Sequence, residues 1–257
     1  MTTPRWLQTG WATHTGRRSR NEDAVLVSGA LMAVADGVGG APRGDLASLE
    51  AIEALRDAID EPDPDDPHGA SVIASELDQA LNVADDAVKA LADHWSNLRG
   101  AATTMCAALV FIDPAGRGRA VIANVGDSRC YQIRNNQAHQ ITRDQTLAQH
   151  LQQAGIDPID ERAHNIVTSV LGGPPDSAPD IDLYRLDLQP DDIILICTDG
   201  ISGVLDPDQL AHTCTALKQQ PNKAAAALVR AAWDANSSDN LTAAVAHMTD
   251  QLHQPTV

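Results

Sequence analysis

The chain has 257 residues, enough for one sizeable core, and 43% of them are hydrophobic against only 3% aromatic, so a core of Ala, Val, Leu and Ile is expected rather than a disordered chain. A formal net charge of −17 repels a phosphate backbone over most of the surface, which excludes general nucleic-acid binding and favours cations as partners. No apolar run approaches the ~20 residues of a membrane span, and Met1–Trp11 lacks the apolar segment of a signal peptide, so a cytoplasmic protein that stays off membranes is expected.

Taken in chain order, Leu31–Ala35 is a short apolar run ended by Asp36-Gly37, which predicts a buried strand closed by a turn. From Asp45 to Ile59, apolar residues recur every three or four positions, as a helix with one buried face requires. The acidic, proline-rich 61–67 stretch stops that helix and reads as an exposed connection, and a second long helix is expected from about Ser71 to Leu91. Strands follow at Met105–Ile112, Ala120–Val125 and Arg129–Ile133, with Gly and Asp at the breaks; such short turns favour antiparallel pairing. A helical stretch near Thr146–Ala154 leads into a region rich in Gly, Pro and Asp that runs to about Pro179. Strands at Ile181–Leu188 and Asp192–Cys197, helices at Asp208–Leu217 and Lys223–Trp233, and a strand at Leu241–His247 complete the pattern. Paired helices separated by runs of strands, without βαβ alternation or internal repeats, predict a layered α+β fold with sheet packed on sheet and helices outside. Cys106, Cys130, Cys197 and Cys214 show no CxxC spacing and are expected as buried structural thiols of a reducing compartment.

The carboxylates fall at strand ends: Asp36 after LMAVA, Asp127 after VIANVG, Asp199 after IILICT, and Asp239 just before LTAAVAH. One such aspartate is usually a turn or cap residue. Four of them brought to one edge are another matter, because two carboxylates about 4 Å apart repel by roughly 4 kcal/mol at an effective dielectric of 20. Lys and Arg are scarce at these positions, so hard dications held by oxygen, Mg²⁺ or Mn²⁺, are the economical counterions. Asp36-Gly37 offers a carboxylate and a turn carbonyl side by side, and two ions about 3.5–4 Å apart can activate water and clamp a displaced phosphoryl group. Just upstream, 16–24 reads GRRSRNEDA, placing arginines suited to bidentate phosphate binding immediately before two acids.

These segments, RSRNEDA (18–24), VADGVGGAPRGDLAS (34–48), AATTMCAALV (101–110), ANVGDSRCYQI (123–133), ITRDQTLAQHL (141–151), LICTDGISGVL (195–205) and SSDNLTAAVA (237–246), resemble in order the metal-dependent type 2C protein phosphatases, the PPM family, in their compact bacterial form. The resemblance runs from about Thr13 to His247. It implies an α-β-β-α sandwich of two mainly antiparallel sheets, a single catalytic domain over 1–257 with a flap at about 149–179, and a short tail at 248–257. It further implies that Asp36 bridges two metals, with the Gly37 carbonyl on the second and Asp199 and Asp239 on the first. Glu22 and Asp23 match the element supporting the second metal, either one directly or through water. Asp127 matches an acid that holds a third, weaker metal. Arg18 falls at the phosphate-binding arginine, with Arg17 or Arg20 as alternatives. The activity implied is hydrolysis of phosphoserine and phosphothreonine in proteins by metal-activated water, with Mn²⁺ or Mg²⁺, in a monomer that opposes a Ser/Thr kinase.

Two positions depart from the family pattern: Val38 stands where eukaryotic relatives carry a histidine proposed as general acid, and Gly203 where many bacterial relatives carry an acid. His164, a lone loop histidine, reads as solvated rather than catalytic. The competing readings are a catalytically inactive phosphoprotein-binding module of the same fold, a phosphatase acting on an anti-sigma-factor antagonist, and a metallonuclease. The retained Asp36, Asp199 and Asp239 disfavour the first, and the absent regulatory domains and basic groove disfavour the others.

Overall fold

The structure, a computed structural model, describes residues 4–38, 43–59, 69–174 and 176–249. The connection expected at 61–67, the tail from 250 onward and the 39–42 part of the second matched segment lie outside the described residues.

The chain opens with strands β1 (Leu7–His14), β2 (Asp23–Ser28) and β3 (Leu31–Asp36), then helices α1 (Gly44–Ala58) and α2 (Ala70–His94). Next come a two-residue strand β4 (Ala102–Thr103) and strands β5 (Met105–Ile112), β6 (Gly118–Val125), β7 (Arg129–Arg134) and β8 (Gln137–Gln140). Helix α3 (Leu147–Gln153), a 3₁₀ turn at Glu161–Asn165 and the short β9 (Leu171–Gly172) occupy the expected flap. Strands β10 (Asp182–Leu188) and β11 (Ile193–Cys197), the one-turn helix α4 (Asp199–Ser202), helices α5 (Pro207–Ala216) and α6 (Pro221–Asp234), and strand β12 (Leu241–Met248) follow. Besides the two-residue β4 and β9, three strands were not anticipated by the hydrophobic pattern: β1, β2 and β8. Each is an edge strand.

Two five-stranded antiparallel sheets form the body, one in the order β1-β12-β11-β7-β8 and the other β10-β6-β5-β3-β2, while β4 and β9 pair separately. The period of two along a strand distributes the core. In β11, Ile194 and Ile196 face the opposite sheet and join Met32, Val34, Leu109 and Ile122, whereas Ile193, Leu195 and Cys197 face Leu210, Cys214 and Leu228 of α5 and α6. On the other side α1 and α2 bury Leu55, Leu77 and Leu81 against the second sheet. The result is the expected α-β-β-α layering. Central strands β5 and β11 are apolar throughout, and β3 up to Asp36 and β12 apart from Thr242 and His247 are nearly so, because both of their faces are covered. Helix α5 is started by a capping box, in which Asp206 accepts from the Gln209 amide and the Gln209 side chain accepts from the Asp206 amide, with Pro207 at its first position. All four cysteines are buried and unpaired, and among the described residues no helix is long and apolar enough to cross a membrane.

Candidate active site

At one edge of the sandwich a cavity of about 730 Å³ is lined by Arg18, Glu22, Asp36, Asp127, Asp199 and Asp239, together with Gly37 and Val38. Each acid is delivered by the end of a different element. Asp36 ends β3, Asp127 sits in the turn after β6, Asp199 opens the one-turn α4 after β11, and Asp239 lies two residues ahead of β12. Asp36 is fixed through its backbone, whose amide donates to Thr104 Oγ1 (3.2 Å) and whose carbonyl accepts from the Thr104 amide and Thr103 Oγ1 (2.8 Å). Gly37 then meets Gly44 at the start of α1, where a Cβ on Gly37 would fall 2.4 Å from the Gly44 carbonyl carbon. Only glycine permits that approach, and it turns the chain out of β3 beside the carboxylate.

Asp23 does not line this cavity. It lies directly opposite Asp36 in the β2–β3 ladder, a position where like charges destabilise, and Thr198 Oγ1 donates to its Oδ2 at 3.0 Å. Glu22 faces the cavity, and its amide donates to Asn240 Oδ1 at 2.8 Å. Of the three arginines near residue 18, Arg18 alone lines the cavity; its Nη2 donates to Asp239 Oδ2 (2.7 Å) and its Nε to the Ser238 carbonyl (3.2 Å). Arg17 stacks over Trp233 and bonds Asn236, while Arg20 pairs with Asp45.

Burial first, and then the charges of Asp23, Asp199 and Asp127, push the Asp36 carboxyl well above its ordinary range. Burial pushes Asp23 up to about 7 against the opposing hydrogen bonds of Thr242 and Thr198. Asp127 is raised to about 7 by burial, then by Asp199 and Asp144. Asp199 is raised by burial and by Asp239, with hydrogen bonds to Asp36 and the Gly200 amide opposing. All four shifts share one cause: anionic oxygens crowded out of water with little positive charge nearby.

The donor set fits hard dications. Every candidate donor is a carboxylate or the Gly37 carbonyl, and two oxygens, Asp199 Oδ1 and Asp23 Oδ1, are buried without a hydrogen-bond partner. An orphaned carboxylate oxygen is costly unless a cation takes it. Among the described residues, however, no three His, Cys, Asp or Glu side chains already stand at the mutual spacing of a formed ion site. The acids share a cavity without closing into a cage, as mutual repulsion dictates. The fit therefore rests on donor chemistry and on the orphaned Asp199 oxygen, the one of the two that belongs to a residue lining the cavity.

The family model described as "Protein phosphatase 2C" matches residues 12–253. This chain belongs to that family. It is 30% identical over 236 residues to the serine/threonine protein phosphatase PstP of Mycobacterium tuberculosis, covering 91% of this chain but only 43% of PstP's length. Among solved structures, the PstP catalytic domain in complex with two manganese ions superposes with a TM-score of 0.78 at 30% identity, covering 95% of this chain and 99% of that one. Stp1 of Staphylococcus aureus superposes with a TM-score of 0.81 at 27% identity over 96% and 97% of the two chains.

Within this phosphatase 2C chain, the departure at 203 has a local reason. The Gly203 amide closes α4 onto the Asp199 carbonyl (2.7 Å), and a Cβ at 203 would lie 2.8 Å from that oxygen, so an acid here would shift the turn carrying Asp199. Val38 lines the cavity and offers no proton. His164 is exposed on the far side of the flap, away from this cavity.

Three supporting residues escaped the sequence reading. Asn240 donates to the carbonyls of Thr15 (2.7 Å) and Arg20 (2.9 Å) while accepting from Glu22, stitching the arginine loop to the start of β12. Thr198 joins Asp23 to the Thr242 amide. Gln145 accepts from the Gly126 amide (2.7 Å) and donates to the Asp180 carbonyl, tying the flap base to the turn that carries Asp127. For Thr198 and Asn240 the signal was a polar side chain beside a mostly apolar strand, as in LICTDG and SDNLTAAV, where burial forces a partner; Gln145 carried no such signal.

Proposed function

We infer that this chain hydrolyses phosphoserine and phosphothreonine in proteins, reversing the action of a Ser/Thr kinase, as a cytoplasmic monomer using Mn²⁺ or Mg²⁺. The observation that carries this reading is the convergence of Asp36, Asp127, Asp199 and Asp239 from four strand ends on one cavity with Arg18 at its rim. The names of its relatives, serine/threonine phosphatases, and the two manganese ions of the PstP structure point the same way. Residues 13–247 act as one catalytic unit, with 149–179 as a flap beside the cavity.

Asp36, Asp199 and Asp239 would hold the first ion, and Asp36, the Gly37 carbonyl and Glu22 or Asp23 the second; Asp127 would hold a third, weaker one. Bound there, the ions supply water of lowered pKa and shield the charge of the phosphoryl group. The chain's own residues do the rest. The Arg18 guanidinium is held by Asp239 and the Ser238 carbonyl, which leaves N–H groups to bind and orient the non-bridging phosphate oxygens. That tether fixes the cation before substrate arrives, so little reorganisation is needed as charge shifts among the phosphoryl oxygens. Val38 contributes only apolar surface, so the proton for the departing serine or threonine oxygen has to come from water or another side chain.

The test is turnover of p-nitrophenyl phosphate and a phosphothreonine peptide with Mn²⁺ or Mg²⁺, expected to be abolished by EDTA and lost in Asp36→Asn and Asp239→Asn. Full activity in either variant would sink the mechanism. Weak or absent Mn²⁺ binding by calorimetry, together with no turnover, would instead leave an inactive binding module.

A further inference from the structure

A second cavity, of about 520 Å³, lies across the flap from the first and is lined by Arg129, Arg143, Asp144, Gln149, His164 and Tyr184, among others. The two cavities share a wall. Asn165, Ile166 and Val167 line the acidic cavity, and the preceding residue, His164, lines this one. The wall is held by the bridge between Thr146 and Val167 and by the Leu147 amide donating to the Ile166 carbonyl.

The charge balance of the second cavity is the reverse of the molecule's. Its carboxylate capacity is already taken: Asp144 receives both Nε and Nη2 of Arg129 (2.9 and 2.6 Å) and Gln140 Nε2 (3.0 Å). The nearby Asp182 accepts from Gln145 Nε2 and Tyr184 Oη. Arg129 is committed to Asp144, but the rest of the cationic capacity is not taken. Arg143 and His164 are exposed and make no side-chain hydrogen bond or ion pair among the described residues. Arg143 is nonetheless anchored at its base, since its amide donates to Tyr184 Oη at 3.1 Å. In a chain of net charge −17, a concave site offering an uncommitted guanidinium, an imidazole and the Gln149 amide is matched to an anion.

We propose that this cavity is a specificity subsite for a second acidic side chain, phosphorylated or carboxylate, on the same peptide whose phosphoresidue enters the acidic cavity. The proposal rests on the phosphatase reading above. A substrate seated with one phosphate at Arg18 passes over the 165–167 wall, and the next anionic group along it meets Arg143. Because that group is remote from the reacting phosphate, it acts on substrate binding rather than on the chemical step.

The experiment uses three probes: p-nitrophenyl phosphate, a phosphothreonine peptide with neutral flanks, and the same peptide with Glu or phosphoserine placed in turn at each flanking position. For the unaltered chain, KM for the acid-bearing peptide is expected to fall at one preferred position, with kcat unchanged. Arg143→Glu should raise that KM by about tenfold, the worth of one hydrogen bond to a charged group, and His164→Ala by less. Neither variant should alter turnover of p-nitrophenyl phosphate or the neutral peptide, which also reports that each is folded. Equal KM for acidic and neutral peptides, or an unchanged KM in Arg143→Glu, overturns the subsite. So would inorganic phosphate or sulfate changing p-nitrophenyl phosphate turnover in an Arg143-dependent way, since the site would then take a free anion. Absence of all turnover in the unaltered chain with Mn²⁺ would overturn the phosphatase reading itself, a separate outcome.

Discussion

Strand β5 joins two aspartate environments that lie about 27 Å apart, the length of its eight residues. At its far end Asp113 accepts from the amides of Ala115 and Arg117 and from Nε of Arg117 and Arg119, all within 3.0 Å. Although burial pulls its carboxyl upward, those donors win and hold it down at about 2. At its near end Thr104 brackets Asp36, whose carboxyl meets other carboxyls and is driven the opposite way. The same residue type is thus a turn clamp in one place and a charge problem in the other, and the difference is the supply of donors. An acid cluster that forgoes donors gives up stability, and it is the end of the sandwich that does so which can hold metal and substrate.

The sharpest way to break the comparison is Asp36→Asn. We expect phosphatase turnover to fall by roughly two to three orders of magnitude, because an amide would replace the carboxylate proposed to serve both ions. The thermal midpoint of the metal-free protein should meanwhile rise, by an amount equivalent to about 1 kcal/mol, since a repelling charge is removed. Steady-state kinetics and calorimetry read the two effects, and a lower midpoint in the variant would show that Asp36 is a structural acid like Asp113.

Next in size is metal itself. Mn²⁺ at about 100 times its dissociation constant should stabilise the chain by about 2.7 kcal/mol for one site, through binding to the folded state only. EDTA should reverse the shift, and Asp113→Asn should leave it intact. An Mn²⁺-independent midpoint would mean that the splayed acids never close around an ion.

Asn240→Ala comes third. It removes the acceptor of the Glu22 amide and the donors to Thr15 and Arg20, so about 2 kcal/mol of stability should be lost, and Mn²⁺ affinity should fall by about tenfold or more as Glu22 loosens. Denaturant unfolding together with Mn²⁺ titration would separate the two.

What was legible in the sequence follows the same logic of burial. Central strands β3, β5, β11 and β12 were readable because both faces are covered and the apolar run has few breaks, Thr242 and His247 in β12 being the main ones. Of the four edges of the two five-stranded sheets only β10 was visible, through its alternation; the pattern missed β1 with its internal Gly10, the half-buried β2 and the mostly polar β8, because an edge strand can be polar and still pair. The acids at strand ends were legible as a set because turns advertise Asp-Gly. Which of Glu22 and Asp23 faces the cavity was not, since that depends on how β2 pairs with β3 and on Thr198 arriving from another strand end. The second cavity was equally hidden. Arg143 and His164 stand 21 positions apart in loops with no periodicity, and only the flap's return past Thr146 brings them together.

The smallest expected effect tests the quiet end of β5. A carboxyl held below its ordinary value of 3.8 contributes stability that is present above that value and lost as pH falls through the folded value of about 2. Asp113→Asn should therefore lower stability at pH 7 by about 1 kcal/mol, since Arg117 is an exposed partner whose pairing is worth little, Arg119 is shared with Asp187, and the backbone bonds carry most of the effect. The gap between the variant and the unaltered chain should close between pH 4 and pH 2, and turnover at neutral pH should not change. A gap that persists to pH 2 would assign the stabilisation to the shape of the turn rather than to the charge, leaving both ends of the strand to be explained by backbone geometry.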